Sequence, residues 1–122
     1  AIEFLKNRYT WKTRVSDYQG VRWMLADMQM QTEAARLMIY KAAAMVDAGV
    51  TGEVLALQAS MAKAFATDVA MKVTTDAVQL FGATGISNDC PINRYMRDAK
   101  VTQIIEGTNQ IQRNIIAREL LR

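Results

Sequence analysis

One stretch near the C-terminus joins an acid to a break in helical pattern: Ile104-Ile105-Glu106-Gly107-Thr108-Asn109-Gln110. Gly107 supplies the residue that most readily takes the left-handed conformation ending a helix, and Thr108 or Asn109 can cap the next one, with Gln112 three residues beyond Asn109 resembling a capping box. Glu106 therefore sits at a corner between two helices. A carboxylate at a helix end opposes the macrodipole, the amide end of the following helix favours it, and Ile104 and Ile105 suggest partial desolvation. Such an acid could act as a tuned base. From spacing alone, a solvated turn glutamate is the commoner arrangement.

The remaining candidates are weaker. The chain has no histidine and a single cysteine, Cys90, which removes the commonest zinc ligand, the usual triad base and any intrachain disulfide. Cys90 has no basic cluster in sequence to activate a thiolate and reads as structural, beside a proline suited to a helix start. Arg8 follows a short helical segment, where a cation complements the dipole. Gly82 and Gly85 could admit a phosphate to the backbone, but Gly-Ala-Thr-Gly is too short to carry that reading. The eight methionines lie mostly on apolar stripes and read as core.

These residues need helices to position them. Residues 1–9 read as helix, and residues 10–15 as a polar connection. Ser16-Asp17-Tyr18-Gln19 has the form of a capping box, which predicts a helix starting at Asp17. Val21, Leu25, Met28, Thr32, Ala35, Ile39, Ala42 and Val46 then recur at steps of four and three until Gly49. Leu57, Met61, Phe65, Val69, Val73, Ala77 and Leu80 mark a second stripe ending at Gly82. Small residues flank Met61 (Ala56, Ala59, Ser60, Ala62, Ala64, Ala66), as a surface packed on more than one side requires. Residues 82–91 read as loop. The predicted helices are 17–48, 53–81, 92–104 and 109–121, and no strand-like alternation lasts long enough for a sheet. The expected class is all-α, a four-helix up-down-up-down antiparallel bundle.

The 122 residues suit one domain; 15 basic residues against 12 acidic ones, scattered along helices, point to no nucleic acid, and no apolar run is long enough to span a bilayer. The chain reads as soluble, and its lone thiol fits a reducing compartment. It begins with Ala1 already in helical pattern, which suggests a piece of a longer chain continuing upstream.

The line from Thr75 to Arg122, with Gln79-Leu80-Phe81-Gly82, Pro91-Ile92-Asn93-Arg94-Tyr95 and Ile104-Ile105-Glu106-Gly107-Thr108-Asn109-Gln110-Ile111-Gln112-Arg113, resembles the C-terminal region of the acyl-CoA dehydrogenase family. The likeness extends back through Glu33-Ala34-Ala35-Arg36-Leu37 and Ala59-Ser60-Met61-Ala62-Lys63 to Arg8, and it implies that residues 1–122 are the family's C-terminal helical domain, which in family members follows an N-terminal helical and a middle β domain. The resemblance implies a flavoenzyme that oxidises an acyl-CoA to its trans-2-enoyl-CoA with FAD. Glu106 matches the catalytic base that removes the α-proton while a hydride leaves the β-carbon, and its backbone N–H matches a group that holds the thioester oxygen. Thr108, Asn109 and Gln110 match positions at the FAD of the same subunit, and Gly107 a substrate-contacting backbone position. Arg8, Gln19 and Gln79, Leu80, Phe81, Gly82 and Ala83 match positions reaching the FAD of a neighbouring subunit. The sequence departs from the family where Trp11-Lys12 replaces Phe-Gly and Gly82-Ala83 replaces Gly-Gly.

By the same resemblance the partners are an acyl-CoA substrate, an electron-transferring flavoprotein and three further copies of the chain in a tetramer. The location would be the bacterial cytoplasm or the mitochondrial matrix. An acyl-CoA oxidase, an enoyl-CoA reductase, or a bundle serving only assembly are the alternatives. The acid in Glu106-Gly107-Thr108 argues against the last, because packing alone does not ask for it.

Overall fold

The computed structural model describes all of residues 1–122. A short helix α1 (Ile2–Asn7) leads through a two-residue antiparallel ladder, β1 (Tyr9–Thr10) with β2 (Thr13–Arg14), and a 3₁₀ turn (Val15–Asp17) into α2 (Gln19–Asp47). The remaining helices are α3 (Gly52–Phe81), the single turn α4 (Ala83–Ile86), α5 (Ile92–Thr102) and α6 (Asn109–Leu120). The all-α bundle and its four main helices match expectation, with no end moved by more than two residues.

Local differences have local causes. The expected capping box at Ser16 is not formed. Residues 15–17 are taken by the 3₁₀ turn, Tyr18 enters α2 in extended conformation without a side-chain cap, and Asp17 instead accepts from Arg22 at 3.2 Å. The ladder occupies the stretch expected to be plain connection. Its two-residue tip, Trp11-Lys12, has positive φ at both positions (51° and 67°), the handedness that a tight hairpin requires. Residues 83–86 form a helical turn where a loop is expected, and Pro91 becomes the N-cap of α5, leaving Cys90 half-buried outside it. Gly49 ends α2 as predicted: at φ 75° it lets Val50 N donate to Met45 O at 2.9 Å.

α3 is the spine of the molecule, with α2 packed antiparallel along one side and α5 and α6 along another. The last two helices do not reverse at the break between them. Ile92 at the start of α5 packs by Ala77 and Leu80, Gln103 just beyond its end reaches Asp68, Asn109 at the start of α6 reaches Ala64, and Arg122 pairs with Glu53. α5 and α6 therefore run one after the other in the same sense along α3, so the all-α bundle runs up, down, then an interrupted up, without the reversal expected before the last helix. The small residues Ser60, Ala62 and Ala64 are buried in this packing, as a helix approached from more than one side requires.

At the far end of α3, Leu5, Met28, Ala77 and Leu80 form the core cluster, and Phe4 stacks on Phe81 with ring centroids 4.3 Å apart. Gly85 shows why α4 can sit there. A Cβ on it would lie 2.7 Å from Val78 O and 2.9 Å from Phe81 Cβ, so the glycine serves close packing of α4 on α3.

Polar contacts fix α5 and α6 lengthwise. Asp68 Oδ1 accepts from Gln103 Nε2 at 2.6 Å and Asn109 Nδ2 at 2.7 Å, and its Oδ2 pairs with Arg113 at 2.6 Å. Burial raises the Asp68 pKa, but hydrogen bonds from Arg113, Asn109 and Gln103, with the Arg113 charge, together outweigh it and hold the carboxyl below its ordinary value.

Two outcomes follow. Gly85→Ala should lower stability by about 1–3 kcal/mol, the usual cost of overpacking, read as a drop in the thermal midpoint of the chain. For Asp68, a carboxyl whose folded pKa is depressed contributes stability above its unfolded value of about 3.9, and that contribution disappears as pH falls through the folded value. The urea midpoint should therefore fall more steeply below about pH 4 in the parent than in Asp68→Asn, which should start lower at neutral pH. Parallel acid limbs would contradict it.

Candidate functional site

The interruption between α5 and α6 builds the first part of the site. After Ile104 N and Ile105 N close the last turn on Val101 O at 2.9 and 3.1 Å, the chain loops out and returns where Asn109 N donates to Gln103 O at 3.0 Å. Both Glu106 and Gly107 are left-handed, with φ 56° and 82°. The break is thus two residues long, and its first residue is the acid itself. Gly107 has no room for a side chain, because a Cβ would lie 2.8 Å from Gln112 Nε2. Gln112 Nε2 donates to Glu106 O at 3.0 Å, and Lys63 Nζ, reaching from α3, donates to Gly107 O at 2.8 Å. The N–H groups of Glu106, Gly107 and Thr108 donate to nothing within the chain. A carboxylate and three successive free donors therefore share one exposed corner.

Three local expectations are corrected. Thr108 alone caps α6, its Oγ1 accepting from Ile111 N at 3.3 Å, and Gln112 turns back onto the carbonyls of the break instead of closing a capping box with Asn109. Asn109 is only 3% exposed, and its side chain is consumed by Thr67, Asp68 and Lys63 on α3, so only its backbone is left to meet a ligand. The desolvation expected from the isoleucines is not supplied by this chain: Ile104 and Ile105 are 56% and 50% exposed, and Glu106 is exposed. Gln110 is exposed and Thr108 half-buried. Both line a polar cleft of about 420 Å³ with Asp68, Lys100, Gln103 and Arg113.

The second group of predicted residues gathers elsewhere. Arg8, at the C-cap of α1, and Gln19, the first residue of α2, are exposed near the C-terminal end of α3, where Gln79, Gly82 and Ala83 are exposed too. Leu80 is buried in the core cluster and Phe81 is stacked on Phe4, so these two hold α1 in place and leave the polar neighbours outward. A cleft of about 470 Å³ lined by Thr75, Asp76, Val78, Gln79, Gly82 and Ile86 opens beside them. The stretch of α3 from Asp68 to Phe81 separates the two groups by roughly 20 Å. The structure brings each group together and keeps the two apart.

Sequence reasoning missed the α3 residues that hold the break: Lys63, Thr67 and Asp68. The signal was available. They place three hydrogen-bonding side chains on one flank of residues 59–71, where every other position is apolar or small, and such a flank needs polar partners when covered.

The family model described as "Acyl-CoA dehydrogenase, C-terminal domain" matches residues 1–121. A Mycobacterium tuberculosis protein named "probable acyl-CoA dehydrogenase FadE25" is 54% identical over 122 residues, which is the whole of this chain and 31% of that protein. The butyryl-CoA dehydrogenase structure from Megasphaera elsdenii superposes with a TM-score of 0.95 at 45% identity, covering 99% of this chain and 31% of that one. A chain solved in work on the electron transferring flavoprotein of Acidaminococcus fermentans and flavin-based electron bifurcation gives 0.94 at 47% identity, over 99% and 31%. The chain thus spans about a third of the length of its relatives. With a matching family model along the whole chain, close relatives, and the same backbone in solved structures, the chain belongs to the acyl-CoA dehydrogenase family, as its C-terminal domain.

Proposed function

We propose that this domain supplies the base, and part of the FAD site, of a flavoenzyme that oxidises an acyl-CoA thioester to the trans-2-enoyl-CoA. The observation that carries the reading is the left-handed Glu106, which presents an exposed carboxylate and an unpaired backbone N–H at the same corner. Removing a proton α to a thioester needs a base at the carbon and a donor at the carbonyl oxygen where negative charge develops. One residue offers both. Gly107, with no side chain, lets Gln112 close against the break and hold the Glu106 carbonyl.

The residues present suit a flavin dinucleotide. Gln110 stands beside the base with a free amide and Thr108 with a hydroxyl that can still donate while it caps α6, and Arg8, Gln19, Gln79, Gly82 and Ala83 form a second edge roughly 20 Å away along α3. We assign the first edge to the FAD of this subunit and the second to the FAD of a neighbour in a tetramer. Ala83 carries an exposed methyl where the family has glycine, and Gly82 retains open space around its Cα. When bound, FAD is the hydride acceptor. Glu106 receives the α-proton, and its N–H with the neighbouring free donors holds the thioester oxygen. Ile104, Ile105 and Ile111, about half exposed here, give an acyl chain and the rest of the enzyme an apolar surface to cover, which removes water from the carboxylate. The neighbour from electron transferring flavoprotein work supports such a flavoprotein as the electron acceptor.

The 122-residue chain alone should bind FAD weakly or not at all, since it holds only edges of the dinucleotide and buries too little of it to offset the ordering cost. Retained yellow colour after gel filtration would contradict this. In the full-length enzyme, Glu106→Gln should keep fold and FAD while slowing substrate-dependent flavin bleaching by at least the 10²–10⁴-fold typical of a positioned base. Glu106→Asp should fall between, because it keeps a carboxylate but shortens its reach. Single-turnover loss of oxidised-flavin absorbance is the measurement. Bleaching by Glu106→Gln within a few-fold of the parent rate, at equal substrate binding, would place the base elsewhere.

A further inference from the structure

We propose that Lys63 is a positioning residue for the Glu106 carboxylate, acting through the peptide group that follows Gly107; this rests on the reading of Glu106 as the base. A side chain leaves its Cα in a direction set by the backbone, and Glu106 holds a conformation that an L-residue with a Cβ avoids, at a cost of about 1–3 kcal/mol. Such a conformation persists only when its surroundings over-determine it. The two peptides after the Glu106 Cα are the obvious places to do so, and each is held by a side-chain donor from a different helix. Gln112 of α6 takes Glu106 O at 3.0 Å, and Lys63 of α3 takes Gly107 O at 2.8 Å.

Of the two, Lys63 is the one that ties the break to the rest of the molecule. Gln112 moves with α6 and only folds the break onto its own helix. Lys63 belongs to the spine, and the same Nζ also donates to Asn109 Oδ1 at 2.8 Å, so one ammonium grips the break at its apex and at its exit. No carboxylate pairs with this cation. Lys63 appears in none of the ion pairs of the chain, and its charge is directed at two neutral oxygens. Hydrogen bonds from an ionised donor are roughly twice as strong as neutral ones, which suits a group that must hold an unfavourable backbone in place. Asn109 stays anchored without it, through Thr67 at 2.8 Å and Asp68 at 2.7 Å. Removing Lys63 therefore leaves Gly107 O only the longer contact from Gln112 Nε2, at 3.5 Å, and loosens the apex while leaving α6 docked. The carboxylate should then sample orientations away from the substrate α-carbon.

The test uses the full-length flavoenzyme with Lys63→Arg, Lys63→Gln and Lys63→Met, set beside Glu106→Gln. Each is assayed for FAD content, thermal midpoint, acyl-CoA affinity and limiting rate of flavin bleaching. Lys63→Met should keep its FAD and bind acyl-CoA nearly as tightly as the parent, while bleaching roughly tenfold to a hundredfold more slowly, the range in which misplacing a reacting group by about 1 Å falls. Lys63→Arg, which keeps a charged donor, should recover most of the rate, with Lys63→Gln between. Parent-like bleaching in Lys63→Met, with Glu106→Gln inert, overturns the positioning role and leaves the base assignment standing. Parent-like bleaching in Glu106→Gln overturns the base and this proposal with it. Loss of FAD or of the folded protein in all three Lys63 variants also overturns it, since Lys63 would then anchor the fold and not the carboxylate.

Discussion

The arrangement depends on burying one amide. Asn109 opens α6 almost wholly enclosed, and a buried polar group left without a partner costs about 1–3 kcal/mol. Its partners are all on α3: Nδ2 donates to Thr67 and Asp68, and Oδ1 accepts from Lys63 at 2.8 Å. Apolar contact is non-directional and would tolerate a helix sliding along its neighbour. These bonds do not, so they set the lengthwise position of α6 on the spine. Asp68 extends the same constraint backwards, since it also takes Gln103, the residue that follows α5. The entry and the exit of the break are thereby tied to adjacent turns of one helix, and the residues between must bulge outward.

That geometry explains what could and could not be read from the sequence. The helices were legible because their apolar stripes repeat over many turns and because Gly49, Gly82 and Gly107 stop them, each at positive φ. A break at Glu106 was legible for the same reason. Its direction was not, because a glycine stop says that a helix ends without saying whether the next one reverses. That is decided by Asp68 and Asn109, which are 41 residues apart. The burial of Asn109 was hidden for the same reason: an Asn beside a helix start reads as a cap, and only the facing helix shows that Thr108 caps while Asn109 points inward. The short ladder at Tyr9–Arg14 carries no alternation at all, and its tip, Trp11-Lys12, lacks the glycine or asparagine that announces such a turn.

Because α5 and α6 follow each other in one sense, the carbonyl end of one helix dipole and the amide end of the next meet at the break. A reversing connection would put both ends side by side and cover them with the loop. Here the loop is short, and the N–H groups of Glu106, Gly107 and Thr108 stay unpaired beside the start of α6.

The separation of the two exposed edges then has a structural reason. The break must lie where α6 can dock on Lys63, Thr67 and Asp68, while Arg8, Gln19 and Gly82 must lie where three chain segments meet at the end of α3. Both positions are set by α3, one by its polar flank and the other by its terminus, so the length of helix between them is not adjustable by side chains. Helices are stiff on this scale, and roughly 20 Å of α3 keeps Glu106 from drifting relative to the far edge. If the far edge meets a cofactor held mainly by another subunit, each α3 becomes a rigid strut between two active sites. Assembly and base position would then be set by the same helix, which is a reason for the polar flank to lie on α3 and nowhere else.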